Sequence, residues 1–280
     1  MNNEQVLNSV AINLSDFALF LSVMKNPKAY QNTLSIVLNE PDIKLKEVKV
    51  EQVILNKTGK RAIRLDAWAL SEDERQFNIE MENHGESDSV PKRARFYQGL
   101  IDSPILKSGK KTKYKQLPST VIIFITQDDI FKKDKAMYTF VEKCKEIEDL
   151  ELEDGTTKIF LNMSSKNGSK ELVSLLQYMK NTDINNPEIL VKDKRILEID
   201  EIVTEVKESE EWEGIEMNIL EIGIQEGERR GREQGIQQGI QAVVEVCKSL
   251  GVTKEETIKK IAEKFSIEDS EAEKYIEKYW

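Results

Sequence analysis

The clearest signal in the chain is the stretch AIRLDAWALSEDERQFNIEME, residues 62–82. Apolar and polar residues alternate on both sides of a polar turn, Ser71–Glu74, a pattern typical of two antiparallel strands joined as a hairpin. The predicted strands are Ala62–Ala69 and Arg75–Glu82. A turn centred on Asp73 fixes which residues of the two strands face each other, so the register of the hairpin follows from the sequence.

This register gives the hairpin two faces of different character. The face predicted to contact a core carries Ile63, Leu65, Ala67, Ala69, Phe77, Ile79 and Met81. The opposite, polar face carries Arg64, Asp66, Trp68, Asn78, Glu80 and Glu82. On that face Asp66 lies opposite Glu80, and like charges placed directly opposite each other destabilise a sheet. The pairing of these two acids therefore needs an explanation.

A shared divalent cation is one explanation for Asp66 and Glu80. Mg²⁺ prefers oxygen ligands and keeps water in its remaining positions, and a bound ion can activate a water and stabilise charge on a phosphodiester. In the alternative, the hairpin is exposed, the acids point into solvent, and Glu82 forms a cross-strand pair with Arg64 that contributes little to stability. The spacing of the residues leaves both explanations open.

Elements on both sides of the hairpin predict an α/β sheet with covering helices. Thr120–Thr126 is a continuous apolar run, which favours a central strand that is buried on both faces. The other predicted elements are helices in the first forty residues, a strand at Ile43–Val50, a helix after Pro91, a helix near Lys135–Ile147, a strand at Lys158–Leu161 and a helix at Ser169–Met179. We place the end of this first domain near Asn186.

The amino-acid composition favours carboxylates as the groups that would bind a metal or carry out catalysis. The 280 residues include two cysteines, Cys144 and Cys247, whose separation suits neither a disulfide framework nor a zinc site. The single histidine, His84, excludes a multi-histidine metal site, although it could serve in a hydrolytic triad. The longest apolar runs, such as Val121–Ile125, are far shorter than a membrane span. We therefore expect a cytoplasmic protein with no membrane partner.

Charge is unevenly distributed along the chain, whose formal net charge is −10. Between Pro91 and Lys115 the only acid is Asp102, and this segment is the candidate contact surface for a polyanion. Its basic residues are Lys92, Arg93, Arg95, Lys107, Lys110, Lys111, Lys113 and Lys115. A solvated helix face followed by a lysine-rich loop explains the same charges, and charge alone does not decide between the two.

The C-terminal part is predicted to be helical, with a long acidic segment at 187–247 and a small helical module at 248–280. Five glycines recur at every fourth residue, at Gly223, Gly227, Gly231, Gly235 and Gly239. A row of small residues would let a second helix approach and would indicate a homo-oligomer, whereas a solvated spacer is the alternative. In the module, Thr253 with Glu256 and Ser270 with Glu273 are typical helix starts. Its expected apolar contacts are Ile258, Ile261, Phe265, Tyr275 and Trp280.

Several of these motifs together resemble the PD-(D/E)XK nuclease superfamily, and within it the bacterial transposase-like, recombination-promoting branch. They are Arg64-Leu-Asp66-Ala-Trp68, Asn78-Ile-Glu80-Met-Glu82-Asn83 and Pro91-Lys-Arg93-Ala-Arg-Phe-Tyr97, with the Ser15-Asp16-Phe17 helix, the Val121–Asp129 strand, the Asp154-Gly155 turn and the glycine-period tail. The resemblance implies a restriction-endonuclease-like mixed sheet flanked by helices over residues 1–186.

The resemblance also implies roles for particular residues. Asp66 and Glu80 would bind the catalytic Mg²⁺ or Mn²⁺, with the Met81 carbonyl as a further ligand. The third signature position is Glu82, where the superfamily has lysine and this branch often has glutamine. Lys92, Arg93 or Arg95 on the next helix could supply the missing positive charge; alternatively, the arginines only satisfy the acids. Tyr97 would orient Arg93 or simply pack.

Two functions follow as expectations. The first is a metal-dependent DNA endonuclease of transposase or recombination type, in which the basic segment contacts the DNA backbone. The second is a catalytically impaired nuclease fold that serves as an oligomeric interaction platform through its C-terminal helices. Metal binding that depends on Asp66 and Glu80 separates the two.

Overall fold

The computed structural model describes residues 12–56, 58–83, 89–106 and 113–280, without the side chains of residues 220, 223, 224, 226–230 and 232. His84, Lys107, Lys110 and Lys111 lie outside this description. The chain divides into two compact units, Met1–Trp212 and Glu213–Trp280. Over the described ranges, no helix combines the length and apolar character needed to cross a membrane.

The first unit is an α/β fold around one mixed sheet. The strands described are β1 (Leu45–Ile54), β2 (Ile63–Ser71), β3 (Gln76–Glu82), β4 (Thr120–Thr126), β5 (Met137–Phe140) and β6 (Thr156–Asn162). The helices are α1 (Phe17–Met24), α2 (Pro27–Val37), α3 (Val90–Asp102), α4 (Lys170–Lys180) and α5 (Lys194–Lys207). The strand order is β1-β2-β3-β4-β6-β5. β3, β4 and β6 are parallel to one another, and the remaining neighbours pair antiparallel.

The predicted hairpin is confirmed, and its predicted register holds along the regular ladder, residues 67–70 opposite 76–79. Ile63 and Leu65, predicted on the face away from Glu80, instead belong to the cluster that contains Phe124. Trp68 lies opposite Asn78, and Ala67 lies opposite Ile79. The turn is closed by the Ser71 amide, which donates to the Arg75 carbonyl at 2.9 Å. Tyr30 of α2 contacts both strands, because its hydroxyl lies within hydrogen-bond distance of the Ala67 carbonyl, at 2.9 Å, and of the Phe77 carbonyl, at 3.3 Å.

The predicted central strand is also confirmed. A helix that packs against this strand also covers part of the polar face of the hairpin. All seven residues of β4 are buried. Helix α3 packs against β4, and the cluster beneath it includes Ala94 and Ile101 of the helix with Ile122, Phe124 and Phe160 of the sheet. Phe124 lies beside Glu80 in the parallel register. The polar face of the hairpin is therefore covered by α3 near Glu80 and is not open to solvent there.

The predicted helix at Lys135–Ile147 is wrong. Met137–Phe140 is an edge strand, β5, antiparallel to β6. Alternation along a strand puts Tyr138 and Phe140 on one face, where both rings contact Phe131 at centroid distances of 4.8 and 5.1 Å. This aromatic packing outweighs the helical pattern of the neighbouring charged residues.

The first unit continues past residue 186, the boundary that we placed from the sequence. Helix α5 packs against α1 and α2, and its residues Ile196, Ile199 and Val203 are buried. Asn32 of α2 adds a side-chain hydrogen bond to Glu198 at 2.8 Å. Residues 187–212 therefore contribute to the core of the sheet domain.

The second unit contains most of the long helix α6 (Glu210–Ser249) followed by α7 (Lys254–Phe265) and α8 (Asp269–Tyr279). Ile240, Val244, Ile261, Ala272 and Ile276 form its buried cluster, and the predicted Ile258, Phe265, Tyr275 and Trp280 pack against it.

Local details at the helix starts and glycines differ within this unit. Thr253 caps α7 as predicted, but α8 begins after Glu268, ahead of the predicted Ser270, and has no side-chain capping hydrogen bond. A Cβ added at Gly239 would come within 3.0 Å of Phe265, whereas at Gly231 and Gly235 it would meet nothing. Of these three glycines, only Gly239 therefore lies in close packing contact with another helix.

Candidate active site

Asp66 and Glu80 lie together where the regular β2–β3 ladder ends, and we call them the acid pair. The ladder stops at Ala67 opposite Ile79. Beyond it, the Asp66 amide donates to Oε1 of Glu80 at 3.0 Å, and the Met81 amide donates to Oδ2 of Asp66 at 3.1 Å. Each carboxylate thus accepts a hydrogen bond from the backbone of the opposite strand. This exchange holds both acids at one end of the hairpin.

Burial makes the acid pair reluctant to ionise. Asp66 is 8% exposed and Glu80 is 1% exposed. Loss of hydration raises the pKa of Asp66 to about 6. Desolvation, together with the neighbouring charge of Asp66, raises the pKa of Glu80 to about 8. Two buried like charges favour protonation or a nearby cation, since either removes the repulsion.

Asn78 belongs to this site, although the sequence pattern places it only on the polar face. Its Nδ2 donates to Oε1 of Glu80 at 2.8 Å, and the residue is fully buried. Its Oδ1 is buried without a hydrogen-bond partner among the described atoms. The signal that could have found it is the two-residue spacing from Glu80, which puts both side chains on one face of β3.

Arg93 is the cation that approaches the acids. It sits in the first turn of α3, where its Nη1 pairs with Oε2 of Glu82, and its Nη2 lies 3.9 Å from Oε2 of Glu80. Glu82 follows Glu80 by two residues on β3, so the two carboxylates share a face. Arg64 pairs with Glu51 of β1 at 3.3 Å. The structure thus brings Asp66, Glu80, Glu82 and Arg93 together.

Aromatic rings fix the position of the Arg93 guanidinium. Its Cζ lies 5.3 Å from the Phe124 ring centroid and 5.8 Å from that of Tyr97. Tyr97 follows Arg93 by four residues on α3, one of the spacings at which helical side chains meet. Burial and the charge of Glu80 raise the pKa of the Tyr97 hydroxyl. Tyr97 therefore both contacts Arg93 and packs, with its ring 6.1 Å from that of Phe124.

The donor set at the acid pair fits a small divalent cation. Mg²⁺ in proteins is commonly held by one or two carboxylates and retains several waters. The Met81 amide faces Asp66, and in an extended strand the carbonyl of the same residue points to the same side. Over the described part of the chain, no group of three or more Asp, Glu, His and Cys side chains is arranged for a metal. The described side chains therefore offer two carboxylates, and the Met81 carbonyl is the further ligand that the resemblance implies.

The basic segment is only partly described. Lys92 and Arg95 are exposed on α3, whereas Arg93 is half-buried against the acids. Lys113 precedes a short 3₁₀ helix, Tyr114–Gln116, and Lys115 lies within it; both lysines are exposed. Of the basic residues predicted to contact DNA, Arg93 alone among those described reaches the acid pair.

No family model, curated protein or solved structure matches the chain.

Proposed function

We propose that the chain is a metal-dependent DNA endonuclease of the PD-(D/E)XK type, in the transposase-like, recombination-promoting branch that its motifs resemble. The observation that carries this proposal is the acid pair itself. Two carboxylates from adjacent strands are held together in a buried position, at a cost that a purely structural role does not require. The mixed sheet with flanking helices agrees with the restriction-endonuclease-like fold that the resemblance implies.

In this proposal Asp66, Glu80 and the Met81 carbonyl hold Mg²⁺ or Mn²⁺. When bound, such a cation activates water and stabilises the negative charge that develops on a phosphodiester. The backbone amides of Asp66 and Met81 orient the two carboxylates before any ligand arrives. Asn78 fixes Oε1 of Glu80 and leaves Oε2 on the side of Arg93.

Arg93 takes the place of the missing signature lysine. A guanidinium has a permanent charge and several donors, which suit it to a phosphate oxygen. Glu82 occupies the lysine position and binds Arg93. Its carboxylate brings no positive charge from β3; instead it positions the guanidinium that Arg93 brings from α3. This pairing accounts for how a glutamate can stand at that position in an active enzyme.

The experiment is a calorimetric titration with MgCl₂ combined with cleavage of plasmid and linear DNA in Mg²⁺ or Mn²⁺. We expect Asp66→Ala and Glu80→Ala to abolish both metal binding and cleavage. Glu40→Gln, which changes an acid at the other end of the hairpin, is the matched control and should leave both intact. Glu82→Gln keeps a hydrogen-bond acceptor for Arg93 and should retain cleavage. Normal cleavage by either alanine variant would refute the assignment.

The second candidate function is an interaction platform. The pairing of Glu82 with Arg93 favours this function, because the arginine neutralises one acid without a metal. In that case the unaltered protein binds no Mg²⁺ and cuts no DNA. The same titration therefore decides between the two functions.

A further inference from the structure

Helix α3 has an outward face that the acid pair does not use. Its members lie at helical spacings of three, four and seven residues, and we call them the outer face of α3: Lys92, Arg95, Phe96 and Gly99. All four are exposed. The opposite side of the helix is buried through Val90, Ala94, Gln98 and Ile101. The outer face is thus a stable surface and not a fraying end.

A partly exposed aromatic side chain on this face follows two exposed cations in the helix. Phe96 is 39% exposed, with Lys92 one turn before it and Arg95 beside it. A Cβ added at Gly99 would contact nothing within 4 Å, so no side chain at that position covers the ring from the following turn. One exposed apolar residue is ordinary on a protein surface, but this one is set among positive charges.

The same combination recurs at the other described end of the basic segment. Tyr114 is 85% exposed, the highest exposure among the large apolar side chains of the described residues. Lys113 and Lys115 flank it, and both are exposed. Two of the exposed aromatic rings therefore lie in the one stretch of the chain that is strongly basic.

We propose that the outer face of α3, with Tyr114, binds a nucleic-acid strand whose bases are unpaired. Phe96 and Tyr114 stack on bases, and the neighbouring lysines and Arg95 contact phosphates. Aromatic rings beside cations form the usual binding surface for single strands, because every base offers a flat face for stacking. Inside an intact duplex these faces are covered by neighbouring bases, so a protein must unstack them first.

This inference rests on the proposed nuclease function and specifies its substrate class. Phe96 follows Arg93 by three residues, and side chains at that spacing on a helix are rooted about 5–6 Å apart. A strand stacked on Phe96 therefore passes close to the guanidinium that approaches Glu80. The preferred substrate is a strand with unpaired bases at the cut, as in a gap, a branch or a melted end, in preference to a fully paired duplex.

The test is fluorescence anisotropy on the full chain without Mg²⁺, with a labelled DNA strand, the same strand in duplex form and an RNA strand of the same sequence. We expect the unaltered protein to bind the DNA strand more tightly than the duplex. Phe96→Ala and Tyr114→Ala should each weaken strand binding about tenfold, since stacking contributes about 1–3 kcal/mol per base and tenfold corresponds to about 1.4 kcal/mol. The RNA arm shows whether the sugar matters.

Matched variants separate stacking from charge and folding. Tyr114→Phe and Phe96→Trp keep a ring and should bind normally. Lys92→Ala should weaken strand and duplex alike and reduce the salt dependence of binding. Equal affinity for strand and duplex, or unchanged binding by both alanine variants, would overturn the inference. Neither result depends on metal binding, so the nuclease proposal is judged separately by the titration with MgCl₂.

Discussion

The two ends of the β2–β3 hairpin carry similar charged residues in opposite states. At the turn end, Arg75 donates to both carboxylate oxygens of Glu40 at 3.0 and 2.6 Å and to Asp73 at 2.8 Å. A hydrogen bond from Ser71, helped by Arg75, lowers the pKa of Asp73. We call Glu40, Asp73 and Arg75 the turn cluster, and its charges are satisfied close to solvent.

At the open end, Arg93 lies near two acids, and its charge and that of Arg64 only partly offset the effect of burial on the pKa of Asp66. Arg93 pairs with Glu82 and lies 3.9 Å from Glu80, while Asp66 and Glu80 are buried and have raised pKa values. Strongly shifted titratable groups in one cluster are typical of functional sites. The comparison teaches that the turn cluster stabilises the hairpin, whereas the acid pair costs stability and so invites a functional explanation.

The largest expected effect is that replacing an acid by its amide changes the stability of the protein in opposite directions at the two ends of the hairpin. Glu80→Gln should raise the stability of the metal-free protein at pH 8 by about 1–3 kcal/mol, because it removes a buried charge while its amide oxygen can still accept from Asp66 and Asn78. The same change should abolish Mg²⁺ binding. Glu40→Gln should lower stability by up to about 1 kcal/mol and leave metal binding intact. Chemical denaturation and calorimetry measure both quantities. Loss of stability on Glu80→Gln would break the comparison.

Removing the arginine at each end should have unequal costs. Arg93→Met leaves buried acids without their cation, and we expect a loss of about 2–3 kcal/mol at pH 8, after allowance for the partial exposure of Arg93. Arg75→Met exposes its acids to solvent and should cost about 1 kcal/mol. Denaturation midpoints at pH 8 and pH 5 test this, and the Arg93 effect should shrink at pH 5 as the acids are protonated. Equal losses of stability in the two variants would contradict this prediction, because burial of the acid pair would then add nothing to the cost of losing its arginine.

A third expected effect is a slope of stability with pH. Because the pKa values of Asp66 and Glu80 in the folded chain lie above those of the unfolded chain, the folded state holds more protons between about pH 4 and pH 8. The stability that these two groups contribute to the folded state is therefore fully present below about pH 4 and is lost as pH rises through about 8. Each tenfold difference in proton affinity between the folded and unfolded chains corresponds to roughly 1.4 kcal/mol.

The control for this slope is the double variant Asp66→Asn, Glu80→Gln. It should match the unaltered protein below about pH 4 and exceed it in stability near pH 8, as measured by denaturation at constant ionic strength. Parallel curves for the two proteins across this range would contradict the raised pKa values.

The sequence predicts the strands well where one simple pattern dominates. Alternation and the turn residues set the hairpin, and the apolar run at 120–126 favours a strand covered on both sides, which the structure confirms. The edge strand β5 was missed because aromatic packing on Phe131 and Phe160, far apart in sequence, decides its conformation.

The sequence pattern that predicts the hairpin also predicts part of the candidate site. The proximity of Asp66 and Glu80 follows from the hairpin register, but their burial does not, since it depends on α3 folding over them. The pairing of Glu82 with Arg93 joins a strand to a helix across a segment that the local pattern does not constrain. Asn78 stood on the right face, yet its hydrogen bond to Glu80 becomes apparent only with coordinates.

The place where the β2–β3 ladder gives way to the acids supplies a reporter inside the molecule. The amide protons of Asp66 and Met81 each end on a carboxylate oxygen of the opposite strand. Their chemical shifts should follow the ionisation of those carboxylates, so a nitrogen–proton correlation spectrum of isotope-labelled protein can titrate the acid pair directly. Two backbone resonances would then register protons, cations or nucleic acid arriving at this spot without any substitution in the chain.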